Sequence, residues 1–300
     1  MTGTLSTGIE WPAGKRAAAI VSVIFDDGLD AIAKAPDLAH RAKSYSVWLY
    51  GARRGVERLC RAFEDARIQT SWFIPGRVVE RHRDLIGAVA AAGHESESHG
   101  WGFERHDALS RAESLALLCR SRQVLEAATG RSPTGFRLPI GGWPDQFDIV
   151  LREAGFLWSA SLNGDDVPYL HPSSLLEIPV HVELEDRPYF QFNFTPAFPK
   201  GQSRIASYDG VLSNWIAEFD AYRKFGGCFV LQLRPEMTGT PGRIGLVEAL
   251  LSHIQSRSDV WIATAAEIAA WHLTHNARAP GPDHPLSVFA SYQRETRGER

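Results

Sequence analysis

Apolar segments alternate with amphipathic helical segments along most of this chain of 300 residues. The first apolar segment, residues 17–25, is a nearly continuous run, which predicts a strand buried on both faces. Further strands are predicted at 69–74, 94–99, 134–139, 156–162, 175–182, 189–194, 228–233 and 260–263. Helices are predicted at 56–66, 78–92, 110–129, 145–154, 208–225, 242–255 and 265–274. This order predicts an α/β fold with parallel strands and outer helices, and its length suits a closed barrel better than an open sheet.

The segments between these elements set the expected domain boundaries. Residues 29–51 form a long connection, and Arg187-Pro188-Tyr189 has the composition of an exposed loop. After His275 the chain becomes polar and rich in proline, glycine and arginine. No linker divides the rest, so we predict a single barrel domain at residues 1–276 and a polar C-terminal tail at 277–300.

Composition excludes several classes of partner. The hydrophobic fraction is 44%, the charged fraction is 22% and the net charge is −3, so no excess of lysine and arginine is available for nucleic acid. No run approaches the ~20 apolar residues of a membrane span, and the N-terminus has no export-signal pattern. Three widely spaced cysteines fit reduced thiols. We therefore expect a cytoplasmic protein with a small-molecule substrate and no nucleic-acid or membrane partner, and leave a homo-oligomer open.

Polar residues follow several predicted strands. In parallel α/β proteins these carboxyl ends meet at one face, where ligands bind. Taken alone, Asp26-Asp27-Gly28 is also ordinary turn chemistry. The convergence of several strand ends is what indicates an active site: Asp26 and Asp27, Glu97 and His99, Arg137, Asp165 and Asp166, and Arg234.

Three motifs in this order resemble those of polysaccharide deacetylases, the NodB-homology family (carbohydrate esterase family four). They are Phe25-Asp26-Asp27-Gly28, the stretch 93–100 with sequence GHESESHG, and Gly135-Phe136-Arg137-Leu138-Pro139. Residues 72–76, 161–169 and 241–244 resemble the intracellular branch that includes allantoinase-like and peptidoglycan-deacetylase-like members. The resemblance covers about residues 11–272 and implies a distorted (β/α) barrel that hydrolyses a carbon–nitrogen bond other than a peptide bond.

The resemblance also implies roles for individual residues. Asp26 would be the general base, and Arg137 would hold its carboxylate through a paired hydrogen bond. Asp27 and His99 would bind a divalent metal, zinc, together with a second histidine four residues after His99. A histidine near the end of the penultimate strand would be the general acid.

The sequence departs from this pattern at two positions. Phe103 stands where the second metal histidine is expected, and Arg234 stands at the position of the general acid. Arginine cannot cycle a proton, although it can hold an anionic substrate or a developing oxyanion. A catalytic zinc normally has three protein ligands. Glu97, Glu104 and His106 are alternative third ligands, and a metal-free hydrolase is the other solution.

Four further residues are candidates for substrate binding. Tyr50 lies in the aromatic part of the long connection, and its alternative role is to cover the end of the barrel. Trp101 follows His99 closely, while Trp143 follows two glycines and is equally suited to the core. Asp166 lies in a strand-end turn and is also suited to capping that turn.

Three functions remain open from the sequence. We favour a hydrolase of a small amide, imide or N-acetyl compound, because Asp26, Asp27, His99 and Arg137 are all retained. A carbohydrate N-deacetylase with a divalent metal is the second. A catalytically inactive homologue that binds a small molecule is the third, suggested by Phe103 and Arg234.

Overall fold

The computed structural model describes residues 8–192, 205–278 and 284–289. Their strands form one curled sheet in which all neighbours run parallel except β6 and β7. The strands are β1 (Ala17–Ile24), β2 (Ser71–Ile74), β3 (Glu95–Ser98), β4 (Gly135–Phe136), β5 (Trp158–Ser159), β6 (Tyr169–Leu170), β7 (Leu176–Glu177), β8 (Cys228–Leu233) and β9 (Val260–Ile262). The order is β6-β7-β5-β4-β3-β2-β1-β8, and β9 also pairs with β1.

The helices lie between the strands, as the periodicity predicts. They are α1 (Leu29–Lys34), α2 (Ala42–Tyr50), α3 (Val56–Asp65), α4 (Gly76–Arg81), α5 (Arg83–Ala91), α6 (Arg111–Thr129), α7 (Phe147–Glu153), α8 (Arg187–Phe190), α9 (Tyr208–Phe225), α10 (Ile244–Gln255) and α11 (Ala265–His275). Ser110 caps α6 in a capping box with Glu113. The predicted distorted α/β barrel with outer helices is therefore confirmed.

The sheet is a half-barrel rather than the fully closed barrel that the length favours. Strands β4 to β7 are only two residues long, so they cannot form long ladders. On the other side, the chain after β7 reaches β8 through a single bridge between Glu185 and Gln232. This bridge brings the charged segment after β7 beside the carboxyl end of β8.

Local predictions fail at three places. The long connection 29–51 contains α1 and α2, and the predicted helix 78–92 is split at His82, which has an extended φ of −124°. The strand predicted at 189–194 is wrong where the structure describes it, because residues 187–190 form α8 with proline in the first turn, where no amide donor is needed. Residues 193 and 194 lie outside the described residues.

The core lies on both faces of the sheet. Every residue of β1 is buried, as its uninterrupted apolar run predicts. Trp72, Phe73 and Trp158 are completely or almost completely buried against it. Within the described ranges, no helix combines the length and the apolar character needed to cross a bilayer. The predicted boundary between the domain and its tail at residue 276 stays a prediction.

A π-helical stretch, Gly51–Gly55, joins α2 to α3 and packs against the loop that follows β8. A Cβ on Gly55 would lie 2.0 Å from the carbonyl oxygen of Pro235, which is closer than non-bonded atoms can approach. The absence of a side chain at Gly55 therefore lets the loop residues 234–239 lie directly on the helix.

This contact predicts opposite effects for two helical glycines. Gly55→Ala forces the loop after β8 to move and should lower the free energy of unfolding by roughly 1–3 kcal/mol. Gly245→Ala, in α10, meets no atom within 4 Å and should raise it by up to about 1 kcal/mol through helix propensity. Urea unfolding of both variants measures the difference. Equal stability of the two variants would contradict the packing described here.

Candidate active site

Asp26 follows β1 directly and lies at the carboxyl edge of the sheet. Its Oδ1 accepts a hydrogen bond of 2.9 Å from the amide of Gly28, which adopts a φ of +83° that favours glycine. The side chain is 2% exposed, and Oδ2 has no hydrogen-bond partner among the described residues. Burial, reinforced by the negative charge of Asp30 and opposed by Arg234, raises the pKa of Asp26 to about 7. Close to neutral pH this carboxyl group can therefore both lose and take a proton.

Arg234 follows β8 and is the cation nearest to Asp26. Its Nη1 lies 2.5 Å from Oε1 of Glu185 and 3.7 Å from Oδ1 of Asp186, and its Nε lies 3.9 Å from Oδ2 of Asp26. Its backbone amide also donates to Oδ2 of Asp186 at 2.6 Å. Only 3% of Arg234 is exposed, and its carboxylate neighbours raise its pKa further above the ordinary range. Arg234 is therefore permanently charged and cannot act as the acid.

A second group of ion pairs, centred on Asp30, adjoins the group around Arg234. Asp30, in α1, accepts from Arg187 at 2.6 Å and from Lys34 at 3.1 Å. These cations and Arg234 lower the pKa of Asp30 despite its burial, so it stays ionised. Arg187 also approaches Glu185 at 3.4 Å and links the two groups. Asp26 consequently faces one fixed negative charge and several fixed positive charges.

Arg137 follows β4 and is half-buried beside this cluster. In the described part of the chain its guanidinium forms no ion pair, and its Nη1 has no hydrogen-bond partner. Burial and the nearby charge of Arg234 lower its pKa to about 10, so it remains protonated at neutral pH. The expected paired hydrogen bond from Arg137 to Asp26 is absent among the described residues, because Arg234 takes the place beside Asp26. Arg137 therefore offers donors to a substrate.

Asp27 is turned away from Asp26. Its Oδ2 lies 2.7 Å from Nη1 of Arg81 and 3.0 Å from Nε2 of His82, at the end of α4. Asp27 adopts a φ of +51°, which is uncommon for a residue with a side chain. The carboxylates of Asp26 and Asp27 consequently contact different neighbours. The Asp27 carbonyl also accepts from the hydroxyl of Tyr45 at 2.8 Å. One carboxylate oxygen of the buried Asp27 therefore serves ion pairs, while Oδ1 has no hydrogen-bond partner among the described residues.

His99 follows β3 and is 2% exposed. Its Nδ1 lies 2.9 Å from the carbonyl oxygen of Arg137, and because a carbonyl only accepts, Nδ1 carries the proton. Burial and the charge of Arg137 lower the pKa of His99 to about 3, so the ring is neutral. The Phe103 ring packs edge-on against it with centroids 5.5 Å apart, in the place where the resemblance puts a second histidine.

The residues present do not fit the divalent metal that the resemblance implies. Asp27 is held by a guanidinium, and His99 supplies one basic nitrogen. Among the described residues, no group of three or more histidine, cysteine, aspartate or glutamate side chains is suited to a metal ion. The alternative ligands are engaged elsewhere: Glu97 accepts from the amide of Gly135 at 2.5 Å, Glu104 from the amides of Trp101 and Gly102, and His106 lies against Ser114 and Glu104.

The predicted substrate-binding residues lie apart from one another. The hydroxyl of Tyr50 accepts from Arg58, and the next residue, Gly51, touches Glu236. Trp101 packs beneath the guanidinium of Arg120 at 3.6 Å, between α4 and α6. Of these residues, Tyr50 alone adjoins a residue that packs on the loop after β8.

Trp143 and Asp166 belong to other regions. Trp143 stacks on His171 with centroids 5.2 Å apart and packs edge-on against Phe147, so it joins a core cluster. The carbonyl of Asp166 accepts from the amide of Cys228 at the start of β8. Because Arg234 follows the other end of that strand, Asp166 lies at the opposite end of the barrel, beside a cavity of about 220 Å³. Asp166 therefore lies apart from Asp26 and Arg234, and its role in substrate binding stays a prediction.

Sequence reasoning missed five charged residues that surround Asp26 and Arg234. Asp30, Glu185, Asp186 and Glu236 are buried acids, and Arg187 is their partner. The three consecutive charged residues 185–187 after an apolar run were a usable signal, although the composition of Arg187-Pro188-Tyr189 indicated an exposed loop. Glu236 was detectable as an acid two residues after Arg234.

A cavity of about 200 Å³ adjoins the loop after β8. Its described lining combines an apolar wall with one acid and one arginine: Val47, Trp48, Phe190, Met237, Glu236 and Arg243. Burial raises the pKa of Glu236 well above its ordinary value, and the nearby carboxyl group of Asp26 raises it further. The cavity lies near the buried base, because its lining residue Trp48 packs against Gly28, whose amide binds Asp26.

Comparisons with known proteins agree with this fold. The family profile described as polysaccharide deacetylase matches residues 13–158. A peptidoglycan deacetylase of Helicobacter pylori is 25% identical over 259 residues, covering 77% of this chain and 87% of that protein. A peptidoglycan deacetylase-like protein of Gibberella zeae is 25% identical over 84% of each chain.

Solved structures extend the likeness. The structure named "putative polysaccharide deacetylase from Mycobacterium smegmatis" is 29% identical with a TM-score of 0.84, and the match covers 91% of this chain and 96% of that one. A PuuE allantoinase structure shares the fold, with a TM-score of 0.75 and 23% identity over 92% of this chain and 98% of that one. The chain therefore contains a polysaccharide deacetylase family domain, and the enzymes of that family are hydrolases of carbon–nitrogen bonds other than peptide bonds.

Proposed function

We propose that this protein hydrolyses the carbon–nitrogen bond of a small amide, imide or N-acetyl compound, with Asp26 as the general base and without a catalytic metal. The observation that carries the proposal is the unpartnered Oδ2 of Asp26, on a carboxyl group whose pKa is raised to about 7. A general base is most effective when its pKa lies close to the working pH. A buried acceptor without a partner also calls for a donor, and the reacting water is such a donor.

Arg234 and Arg137 have different roles in the proposed reaction. Arg234 keeps the Asp26 carboxylate charged enough to accept a proton, at a distance of 3.9 Å. Arg137 has unpaired donors and supplies the positive charge that a tetrahedral oxyanion needs. This assignment exchanges the roles that the sequence predicts for them, and it uses the contacts that each guanidinium makes in the structure.

A carbohydrate N-deacetylase is the second candidate. It is favoured by the relatives, whose names describe peptidoglycan deacetylases. The donor set around Asp27 and His99 argues against its divalent metal. The third candidate is an inactive protein that binds a small molecule in the same pocket and shows no turnover that depends on Asp26.

The first prediction concerns the base itself. Asp26→Asn keeps the size of the side chain and the acceptor for Gly28 but cannot take a proton, so hydrolysis should fall by about 10²–10⁴-fold. The assay is a panel of cyclic amides, imides and N-acetyl compounds. Asp65→Asn, an exposed acid at the end of α3, is the matched control and should retain full activity. Equal rates for the wild type and Asp26→Asn on every compound would remove the basis for a hydrolase.

The second prediction concerns pH. Because the base works only when deprotonated, kcat/KM should rise with pH through an apparent pKa near 7. Asp30 raises that pKa, while Arg234 and Arg187 lower it. Asp30→Asn removes a negative charge and frees Arg187, so the rising limb should move to lower pH. A limb that stays in place in Asp30→Asn would show that another group titrates.

The third prediction concerns metal. Because the donor set does not fit a catalytic zinc, dialysis against a chelator should change hydrolysis by less than about twofold, and metal analysis should give far less than one zinc per chain. Activity that is lost on chelation and restored by zinc would instead favour the metal-dependent deacetylase.

A further inference from the structure

The general acid is the part of the reaction that remains unassigned. Arg234 occupies the expected position and stays protonated, so another group must give a proton to the departing nitrogen. Two residues further along the same loop stands Glu236, which is 4% exposed and lines the cavity of about 200 Å³. We propose that Glu236 is this proton donor, and that the cavity it lines receives the leaving-nitrogen side of the substrate. The inference rests on the proposed function.

The loop holds Glu236 in a fixed position. The amides of Met237 and Thr238 both donate to the carbonyl oxygen of Arg234 at 3.0 Å. The hydroxyl of Thr238 donates to Asp186 at 3.0 Å, which ties the turn to the acid cluster. Because the turn already fixes the backbone of Glu236, its side chain loses little conformational entropy when substrate binds.

The π-helical stretch supports the same loop from the other side. A Cβ on Gly51 would lie 3.2 Å from Oε2 of Glu236, so the missing side chain leaves room for the carboxyl group. Arg58 donates both to the hydroxyl of Tyr50 and to the carbonyl of Gly239. The stretch Gly51–Gly55 thus shapes the place of Glu236, and π-helical turns are frequent at functional sites.

The charge state suits a donor. Burial raises the pKa of Glu236 well above its ordinary value, the nearby Asp26 raises it further, and Arg234 opposes both. A raised pKa favours the protonated form of Glu236, which is the form that a proton donor needs. Pairs of carboxyl groups in different environments are a common basis of paired base and acid roles.

The reaction then balances with water as the only co-substrate. Asp26 takes one proton from water as the oxygen–carbon bond forms, and the negative charge on the carbonyl oxygen faces Arg137. The carbon–nitrogen bond breaks as Glu236 gives its proton to the nitrogen, which leaves as an amine. The products are a carboxylic acid and an amine, and the proton on Asp26 returns to Glu236 to restore the starting state.

The size of the cavity limits the substituent that the leaving nitrogen of the substrate can bear. A cavity of about 150 Å³ with apolar walls is large enough for a benzene ring, and this one is lined by Trp48, Phe190 and Met237. The structure therefore favours a substrate whose nitrogen bears an apolar group of about the size of a phenyl ring. Acetanilide has such a group and a leaving nitrogen that needs a proton.

The test compares leaving groups that do and do not need an acid. Acetanilide and para-nitrophenyl acetate share an acyl group, and nitrophenolate leaves without protonation. Glu236→Gln should lower kcat/KM on acetanilide by about 10²–10⁴-fold and on the ester by less than about tenfold. Asp26→Asn should lower both, and Glu57→Gln, on the exposed face of α3, should change neither.

The outcomes separate the inference from the function on which it rests. Equal losses on both compounds in Glu236→Gln would show a structural role, and no loss on either would assign the acid elsewhere. Unchanged rates in Asp26→Asn would overturn the proposed function regardless of Glu236. A wild type that cleaves neither compound would overturn the assigned leaving group. Infrared spectroscopy gives a readout besides activity: the carbonyl band of protonated carboxyl groups at neutral pH should be weaker in Glu236→Gln than in the wild type by the contribution of one group.

Discussion

A buried guanidinium that must be neutralised is the constraint on which the site depends. Arg234 is 3% exposed and stands where a strand delivers it into the protein, so its charge needs carboxylates at short range. Glu185 and Asp186 supply them, and they can do so because the chain after β7 bridges to β8. Removal of one partner would leave the others as uncompensated buried charges, which is far more costly than the loss of a surface ion pair.

The same cluster sets the protonation of the base. Asp26 is buried and poorly solvated. Arg234 stabilises the ionised form of Asp26 only weakly, because the two groups are 3.9 Å apart and Glu185 lies much closer to that guanidinium. The result is a carboxyl group with a pKa of about 7 in place of a fixed ion pair. Asp30, with Arg187 and Lys34 as partners, remains ionised only a few residues away. Two carboxylates of the same type thus behave differently because of their partners.

The site keeps the positions of the sequence motifs at the strand ends, with contacts other than those that the resemblance implies. The strand ends still bring Asp26, His99, Arg137 and Arg234 to one edge of the sheet. Phe103 packs on His99, and Arg81 lies on Asp27, so the polar groups expected to hold a cation serve other contacts. In the proposed function, catalysis consequently rests on the protein's own fixed charges, which act strongly because the site is buried.

The sequence by itself determined the strand–helix order, the fully buried β1 and the strand ends that carry the site, because hydrophobic period and glycine positions are local properties. It also identified Asp26, Arg137 and Arg234 as candidate site residues at those ends. Only the tertiary structure decided which arginine stands beside Asp26, that Asp166 lies at the far end of the barrel, and that Glu185, Asp186 and Glu236 are buried. Burial and ion pairing depend on residues distant in the chain, so composition alone gives the same charged stretch the appearance of a solvent-exposed loop.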